Sequence, residues 1–521
     1  SARMALTRAE YQALENSVGE GKDKVSGKAP FFSSFSSSSR MITKIFTPSR
    51  VIWMFVVVNL LNYVDRGIIP GAPNQFQSFI HATTSVPESS ESTYLGLLQS
   101  VFIASFSVAV VVAGNFVHIY PPFKVMGGGL AIWCVAVFIS GFARPLSSFN
   151  VLVLGRALSG VGEASFQCIA PAFIQDYAPN GRQVLYLGIF FSSITVGIAG
   201  GYAYSAMVST SSLGWGWAFY LEGMLMVPFV IICWMLPYQL KGAEEETPDI
   251  SIEAGIPSSD NTEHTERQGP SLYKEVKSIL SIPVFINISL GYAAYCAVLA
   301  GISTFGPIFF QGLQFFPDEK SASLHFSAIV AIAGIVGTPV GGYISDRLAG
   351  GKASREQVLT TCLRIMSFSS VFGIIFSVAS AYCTTRNSFL FCMGTAIMFL
   401  FLPTGCCTMA VMESVPSKMR ASAVALNILI MHVLGDVPSP IAVGALKDYL
   451  APNCNTKRID GQEVLNPLCI EDGDGLRLTL VLCLSWLIFT VIFWSIPLIF
   501  PWCGKPSYGR EGEGGVRKHL Q

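Results

Sequence analysis

An arginine and a glutamate stand seven residues apart in a stretch of the chain that is otherwise apolar enough to span a bilayer. They are Arg156 and Glu163, within the string GRALSGVGEASF. Seven residues are about 20° short of two helical turns, so both side chains lie on one face of a helix, roughly 10 Å apart along its axis. A charge at membrane depth costs about 2.5–3.5 kcal/mol on insertion scales. This face is therefore predicted to look into a protein interior or a wet cavity.

A second pair of charges, Asp65 and Arg66, lies in the apolar segment NLLNYVDRG. Neighbours on a helix point about 100° apart, so these two are not simply partners, and each is expected to pair with another helix. With Arg156 and Glu163 they predict a cluster of four charges whose sum is zero. A carboxylate in such a cluster can bind and release a proton as its solvent access changes. A permanently ionised network that only holds the helices together is the alternative.

Three further titratable residues are predicted at membrane depth: Glu222, His432 and Asp436. All three are candidates for substrate binding or gating. His432 precedes Asp436 by one helical turn, so their side chains can form a hydrogen-bonded pair that titrates near neutral pH. A purely structural hydrogen bond is the alternative. Pro438 and Pro440 are expected to kink this helix or to interrupt its hydrogen bonds beside Asp436.

The composition is typical of an integral membrane protein. Of the 521 residues, 51% are hydrophobic and only 13% are charged, whereas soluble domains carry about 25% charged residues. Basic and acidic residues number 33 each, which gives no indication of nucleic-acid binding. The 13 cysteines show no metal-ligand spacing, and no nucleophile–base spacing or phosphate-binding loop is found. An enzyme is therefore not expected, nor is a metal or another cofactor.

Runs of about 20 apolar residues predict twelve transmembrane helices. They cover residues 51–80, 93–117, 123–143, 150–178, 181–208, 216–236, 281–311, 322–346, 357–381, 388–413, 418–446 and 476–500. The predicted fold class is all-α and integral to the membrane, with two pseudo-symmetric halves of six helices. Arg182 and Gly197 recur at the same spacing as Arg420 and Gly435, which is typical of a weak parallel repeat between two halves.

An acidic segment rich in Ser, Pro and Thr separates the two halves and predicts a flexible linker. The predicted domains are a disordered cytosolic segment (1–50), an N-terminal bundle (51–236), a cytosolic linker (237–280), a C-terminal bundle (281–500) and a cytosolic tail (501–521). The positive-inside rule places both termini and the linker in the cytosol. The loop before the last span then faces the lumen or the outside, where Cys454 and Cys469 are candidates for a disulfide.

Four motifs resemble those of the major facilitator superfamily and, within it, the Spinster family. They are NYVDRG (Asn62–Gly67), GRALSGVGEASF (Gly155–Phe166), GGYISDR (Gly341–Arg347) and HVLGDVPSP (His432–Pro440). The runs WAFYLEG (Trp217–Gly223) and LKG (Leu240–Gly242) are most similar to plant and protist members. GGYISDR by itself marks only the superfamily, as its cytosolic loop motif, and makes Asp346 and Arg347 a candidate cytosolic gate. The resemblance implies alternating access and the movement of lysophospholipids or sphingoid lipids such as sphingosine-1-phosphate.

By the same resemblance, Asp65 and Arg66 are the proton-coupling pair, and Arg156 and Glu163 are their partners. The first functional hypothesis is a proton-linked transporter of a single-chain lipid. An apolar cavity would hold the lipid tail, and Arg66 or Arg156 would offer its charge to the headgroup phosphate. The second is a transporter of a small organic solute, for which a sealed polar pocket would argue. The third is a non-transporting membrane scaffold or sensor, which has no need of charges at this depth.

The remaining expectations concern assembly and location. The chain is expected to act as a monomer, with the proton gradient as its driving force and no cofactor. By the family resemblance, the lysosomal or late endosomal membrane is the expected location, with the plasma membrane as the alternative.

Overall fold

The computed structural model describes residues 46–84, 86–87, 90–117, 120–179, 183–236, 272–350, 354–416, 419–459 and 462–500. The helices before the linker are α1 (Pro48–Gly71), α2 (Pro73–Thr83), α3 (Glu91–Val117), α4 (Pro122–Phe142), α5 (Phe149–Tyr177), α6 (Gln183–Ser209) and α7 (Gly216–Met235). Those after it are α8 (Leu272–Leu280), α9 (Pro283–Gly312), α10 (Glu319–Ala349), α11 (Arg355–Ala381), α12 (Arg386–Phe401), α13 (Thr404–Ser414), α14 (Arg420–Met431), α15 (Pro438–Leu450), α16 (Gly473–Ser485) and α17 (Leu487–Ile499).

Within the described residues, eleven helical segments are long and apolar enough to cross a membrane. They match eleven of the twelve predicted spans. The remaining span, 150–178, forms α5, whose 29 residues include Arg156 and Glu163 and are less apolar for that reason. This helix packs against α3 and α4, so protein rather than lipid covers its polar side chains, as charges at membrane depth require.

Some predicted spans are broken rather than continuous. The prediction of one helix over residues 51–80 was wrong, because Ala72 leaves helical geometry (φ −137°, ψ 57°) between α1 and α2. The proline that follows, Pro73, disfavours the helical region for the residue before it. His432–Asp436 forms a single π-helical turn between α14 and α15, which ends two residues before Pro438. The interruption predicted beside Asp436 is therefore present.

The two halves repeat one close helix contact. Gly197 of α6 lies against α1, where an added Cβ would stand 2.6 Å from the carbonyl oxygen of Leu60. Gly435 lies against α9 in the same manner, with the carbonyl oxygen of Ala293 in the place of any Cβ. Glycine lets the two backbones approach closely at both crossings. Arg182, the other member of the predicted repeat in the first half, lies outside the described residues.

The predicted segments outside the helical bundles are described only in part. Residues 1–45 and 501–521 lie outside the described residues, as does 237–271 of the predicted linker, whose last nine residues form α8. The loop before α16 contains an antiparallel hairpin, β1 (Thr456–Ile459) and β2 (Gln462–Leu465), which was not predicted. A disulfide joins Cys454 to Cys469 on either side of this hairpin, with the Cα atoms 4.3 Å apart.

Candidate functional site

The four charges predicted at membrane depth lie together between α1 and α5. Arg156 Nη1 donates to both carboxylate oxygens of Asp65, at 2.7 and 2.6 Å. Arg66 Nη2 donates to Glu163 Oε1 at 2.7 Å. Because neighbouring residues on a helix point in different directions, Asp65 and Arg66 each pair with α5 rather than with each other. We call these four residues, with their two ion pairs, the charge cluster.

The members of the charge cluster differ in their exposure. The side chains of Asp65, Arg156 and Glu163 are 0% exposed, whereas that of Arg66 is 17% exposed. The ring of Phe102 covers both guanidinium groups, with its centroid 4.6 Å from Arg156 Cζ and 4.8 Å from Arg66 Cζ. Arg66 is therefore the member that a molecule outside the cluster can reach.

Two amide side chains extend the charge cluster toward α6. Gln167 Nε2 donates to Asn59 Oδ1 at 2.9 Å and lies 3.4 Å from Glu163 Oε1. Asn59 in turn donates to the hydroxyl of Ser193 at 2.9 Å. The second oxygen of Glu163, Oε2, has no hydrogen-bond partner among the described residues. Neither Asn59 nor Gln167 was predicted, although the position of Gln167 one turn after Glu163 was a usable signal.

A cavity of about 340 Å³ lies between the two halves. Arg66 contributes to its wall from one half, and His432 and Asp436 contribute from the other. His432 Nδ1 lies 2.8 Å from Asp436 Oδ2, and Arg66 interacts electrostatically with Asp436. Most of the other lining side chains are aromatic or aliphatic, among them Phe102, Ile198, Tyr202, Leu299, Phe326 and Val330. The cavity therefore presents a cation and a carboxylate on a largely apolar wall.

One side of the molecule is closed by contacts between the two halves. We call the side where α7 ends and α8 begins the linker side, and the opposite side, where α1 ends and α3 begins, the far side. On the far side Asp448 accepts hydrogen bonds from the backbone N–H groups of Ser92 and Thr93, at 3.2 and 2.8 Å. The hydroxyl of Thr93 donates to the same carboxylate at 2.7 Å, and Lys447 Nζ donates to the hydroxyl of Ser92 at 2.9 Å. We call Ser92, Thr93, Lys447 and Asp448 the far-side lock.

The far-side lock resembles the capping of a helix N-terminus. Asp448 places a carboxylate at the N-terminus of α3, where unpaired N–H groups and the helix dipole favour a negative charge. Around the lock, α3 packs on α15 and α6 packs on α10. On the linker side, the described segments α13 and α14 pack mainly on other helices of their own half. The far-side lock was not predicted, because Lys447 and Asp448 fall just beyond the predicted span 418–446.

The remaining predicted residues lie elsewhere. Asp346 and Arg347 are exposed at the linker-side end of α10, where Arg347 Nε donates to the hydroxyl of Tyr343 on the same helix at 3.0 Å. Glu222 on α7 is 1% exposed. It interacts electrostatically with Asp65 and Arg156 and does not line the cavity, so it adjoins the charge cluster rather than the cavity.

Comparisons with known proteins agree with this architecture. The family model described as Major Facilitator Superfamily matches residues 54–440. The "Probable sphingolipid transporter spinster homolog 2" of Arabidopsis thaliana is 32% identical over 419 residues, which cover 78% of this chain and 82% of that relative. This chain belongs to the Spinster family of the Major Facilitator Superfamily. The Arabidopsis thaliana protein "Probable sphingolipid transporter spinster homolog 1" is 30% identical over 428 residues, covering 78% of this chain and 84% of the relative.

A solved structure shares the fold of this Spinster family member. It is the crystal structure of a bacterial homolog to the human lysosomal transporter Spinster, in an inward-facing and unoccupied conformation. The two structures match with a TM-score of 0.65 and 19% sequence identity, over 86% of this chain and 96% of the bacterial one. The Spinster chain is therefore a multi-pass membrane protein with a transporter fold, in a family of transporters rather than enzymes.

Proposed function

We propose that this Spinster chain moves a single-chain amphiphilic lipid across the membrane by alternating access, coupled to protons. The main observation that supports the proposal is the cavity. It lies between the two halves, and its largely apolar wall bears Arg66 on one side and Asp436 on the other. Lysophospholipids and sphingosine-1-phosphate each have one hydrocarbon tail and a phosphate, and many also carry a positive nitrogen. Arg66 suits the phosphate, Asp436 suits the positive nitrogen, and the aromatic and aliphatic wall suits the tail. The two Arabidopsis relatives, both called probable sphingolipid transporters, support this class of substrate.

Arg66 links the binding of the substrate to the binding of a proton by Glu163. Its guanidinium is partly exposed to the cavity yet is hydrogen-bonded to the fully buried Glu163. A phosphate that binds Arg66 competes with Glu163 for the same donors. A proton on Glu163 removes that competition and frees Arg66 for the headgroup. When the lipid leaves, Arg66 returns to Glu163 and the proton is released. We therefore assign proton coupling to the charge cluster, with Asp65 and Arg156 as the pair that positions α1 against α5.

The closure of the far side indicates the conformational state. The far-side lock holds the two halves together on that side, so in this state the cavity is reached from the linker side. In our proposal the linker side and both termini face the cytosol, and the far side faces the lumen. Asp346 and Arg347 then act when the linker side closes. The words "human lysosomal transporter" attached to the structural neighbour support a lysosomal or late endosomal membrane. We propose a monomer driven by the proton gradient without a cofactor.

Lipid exchange across reconstituted vesicles tests the substrate class without requiring a proton gradient. We would load proteoliposomes with unlabelled sphingosine-1-phosphate, lysophosphatidylcholine or D-xylose and follow the entry of the labelled compound. The proposal expects exchange of the two lipids and none of the sugar. Exchange of D-xylose without lipid exchange would instead show a carrier of small organic solutes. No exchange of any compound by folded protein would favour the scaffold or sensor.

Substitutions in the cavity make this test specific. Arg66→Gln should abolish exchange of both lipids, because both carry a phosphate. Asp436→Asn should impair lysophosphatidylcholine, which has a positive nitrogen, more than lysophosphatidic acid, which has none. Arg386→Gln is the matched control, since Arg386 is an exposed arginine outside the cavity lining. Equal exchange by all three variants would contradict the proposed headgroup site.

A further inference from the structure

A third carboxylate, that of Glu222, adjoins the charge cluster and is not used by the mechanism above. It lies on α7, is 1% exposed, and interacts electrostatically with Asp65, Arg156 and, more weakly, Glu163. Two other titratable side chains face it from neighbouring helices, Cys134 on α4 and Tyr204 on α6. Glu222 is therefore enclosed by α1, α4, α5 and α6 and is shielded from lipid.

Neither carboxylate oxygen of Glu222 has a hydrogen-bond partner among the described residues. The backbone N–H of Asp65 lies close to the carboxylate but does not meet hydrogen-bond geometry. By contrast, Asp65 receives two hydrogen bonds from Arg156, and Glu163 receives one from Arg66. Each arginine thus already donates to a different carboxylate, and Glu222 is the carboxylic acid that has no arginine of its own.

The sum of the charges also shows that Glu222 has no compensating positive charge. Three carboxylates and two guanidinium groups sum to −1 if all are ionised, and the surplus negative charge would be buried. An isolated ionised carboxylate in a low-dielectric interior is so costly that the group takes up a proton instead. A proton on Glu222 returns the sum of the five groups to zero. Arg156 keeps Nε and Nη2 without partners among the described residues, so a deprotonated Glu222 has a donor available in its own cluster.

We propose that Glu222 is a second proton-carrying residue of the transport cycle, alongside Glu163. The assignment rests on the proposed proton coupling and extends it from one carboxylate to two. In the far-side-closed state Glu222 holds a proton taken from the aqueous phase. When the proton is released, Glu222 becomes a carboxylate, and Arg156 donates a hydrogen bond to it. The proton returns to the aqueous phase on the other side of the membrane.

The first experiment counts protons per lipid. Proteoliposomes containing a pH-sensitive dye report proton flux while labelled sphingosine-1-phosphate reports lipid flux. Glu222→Gln, which mimics the protonated acid, should keep lipid exchange but lower the ratio of protons to lipids. Glu222→Asp should keep the wild-type ratio. Glu356→Gln is the control for the substitution itself, because Glu356 is an exposed carboxylate in the first turn of α11 and does not line the cavity. A wild-type ratio in Glu222→Gln would overturn the proposal.

The second experiment observes the proton itself and does not depend on transport. Infrared spectroscopy of the wild-type protein should show the C=O band of a protonated carboxylic acid that disappears as the pH is raised. The part of this band that Glu222 contributes should be missing from Glu222→Gln and shifted in Glu222→Asp, whereas any contribution from Glu163 should stay in both variants. A band that persists unchanged in Glu222→Gln would overturn the assignment. If wild-type protein moves no lipid, the proposed function fails, while the infrared titration still decides whether Glu222 binds and releases a proton. If Glu222→Gln does not fold, Glu222→Asp and the wild-type titration decide.

Discussion

Arg66 and Glu163 form an ion pair of 2.7 Å in which the arginine is partly open to the cavity and the glutamate is fully buried. One guanidinium group therefore belongs both to the substrate cavity and to the charge cluster. An anion that binds Arg66 from the cavity must alter the surroundings of Glu163, which lies on a different helix. This shared arginine joins substrate binding to proton binding without any large rearrangement.

Asp65→Asn should destabilise the folded protein strongly. Arg156 would keep its charge at 0% exposure and lose the carboxylate that accepts from it. Removing one partner of a buried ion pair costs about 3–5 kcal/mol. Thermal unfolding in detergent should therefore show a lower midpoint for Asp65→Asn, and Asp65→Asn combined with Arg156→Gln should recover part of the loss. A midpoint equal to the wild-type value would show that this pair contributes little to stability.

Asp448→Ala should open the far side. The carboxylate accepts three hydrogen bonds from the first turn of α3, and losing a cap of this kind costs about 0.5–2 kcal/mol. One or two kcal/mol corresponds to about a 5–30-fold shift toward the open state. Spin labels at the exposed residues Ala82 and Tyr449 would report the distance across the far side. Asp474→Ala, at another exposed far-side helix start, should leave this distance unchanged, and an unchanged distance in Asp448→Ala would argue against the lock.

Gly444→Ala should shift the same equilibrium by steric means. Gly444 of α15 lies so close to α3 that an added Cβ would collide with the carbonyl oxygen of Ser92. The two helices can then no longer close on the far side, although each can still form. Gly128→Ala on α4 is the matched control, because no atom in the part of the chain that the structure describes lies within 4 Å of the added Cβ. The same spin-label distance should lengthen in Gly444→Ala alone, and closure to the wild-type distance would refute this packing argument.

The disulfide between Cys454 and Cys469 reports the orientation of the chain. Closing a loop of 15 residues with a disulfide stabilises a fold by about 3 kcal/mol in the chain-entropy model. A disulfide on the far side persists if that side faces an oxidising compartment. In intact cells both thiols should resist alkylation until a reductant is added, which a mass-tag gel shift detects. Replacing both cysteines by serine should abolish the reductant-dependent shift. Alkylation without reductant would place the loop in the cytosol.

Much of the helical architecture could be predicted from the sequence, because apolar runs of membrane length have few alternative structures. Breaks in the helices were harder to place. Pro438 and Pro440 correctly indicated the interruption beside Asp436, whereas Pro73 was not recognised as the end of α1. The hairpin at 456–465 was missed because its strands are four residues each, too short for a periodic signal.

The site was predictable only where charges stood in apolar surroundings. Asp65, Arg66, Arg156 and Glu163 were visible for that reason, but their crossed pairing depends on how α1 faces α5. The far-side lock joins residues more than 350 positions apart, and its members are ordinary polar residues at helix ends. The position of Glu222 beside Asp65 depends on how α7 packs against α1. Sequence spacing contains no information on either relationship.

Gradient-driven accumulation of lipid tests the central claim most directly. Proteoliposomes would receive labelled sphingosine-1-phosphate with and without an imposed pH gradient, with wild-type protein and with Glu163→Gln. We predict that wild-type protein accumulates the lipid only when the gradient is present. Glu163→Gln should exchange lipid but fail to accumulate it, because Glu163 is the carboxylate that shares Arg66 with the lipid and glutamine neither binds nor releases a proton. Accumulation by Glu163→Gln equal to that of the wild type, or wild-type uptake indifferent to the gradient, would contradict proton coupling through the charge cluster.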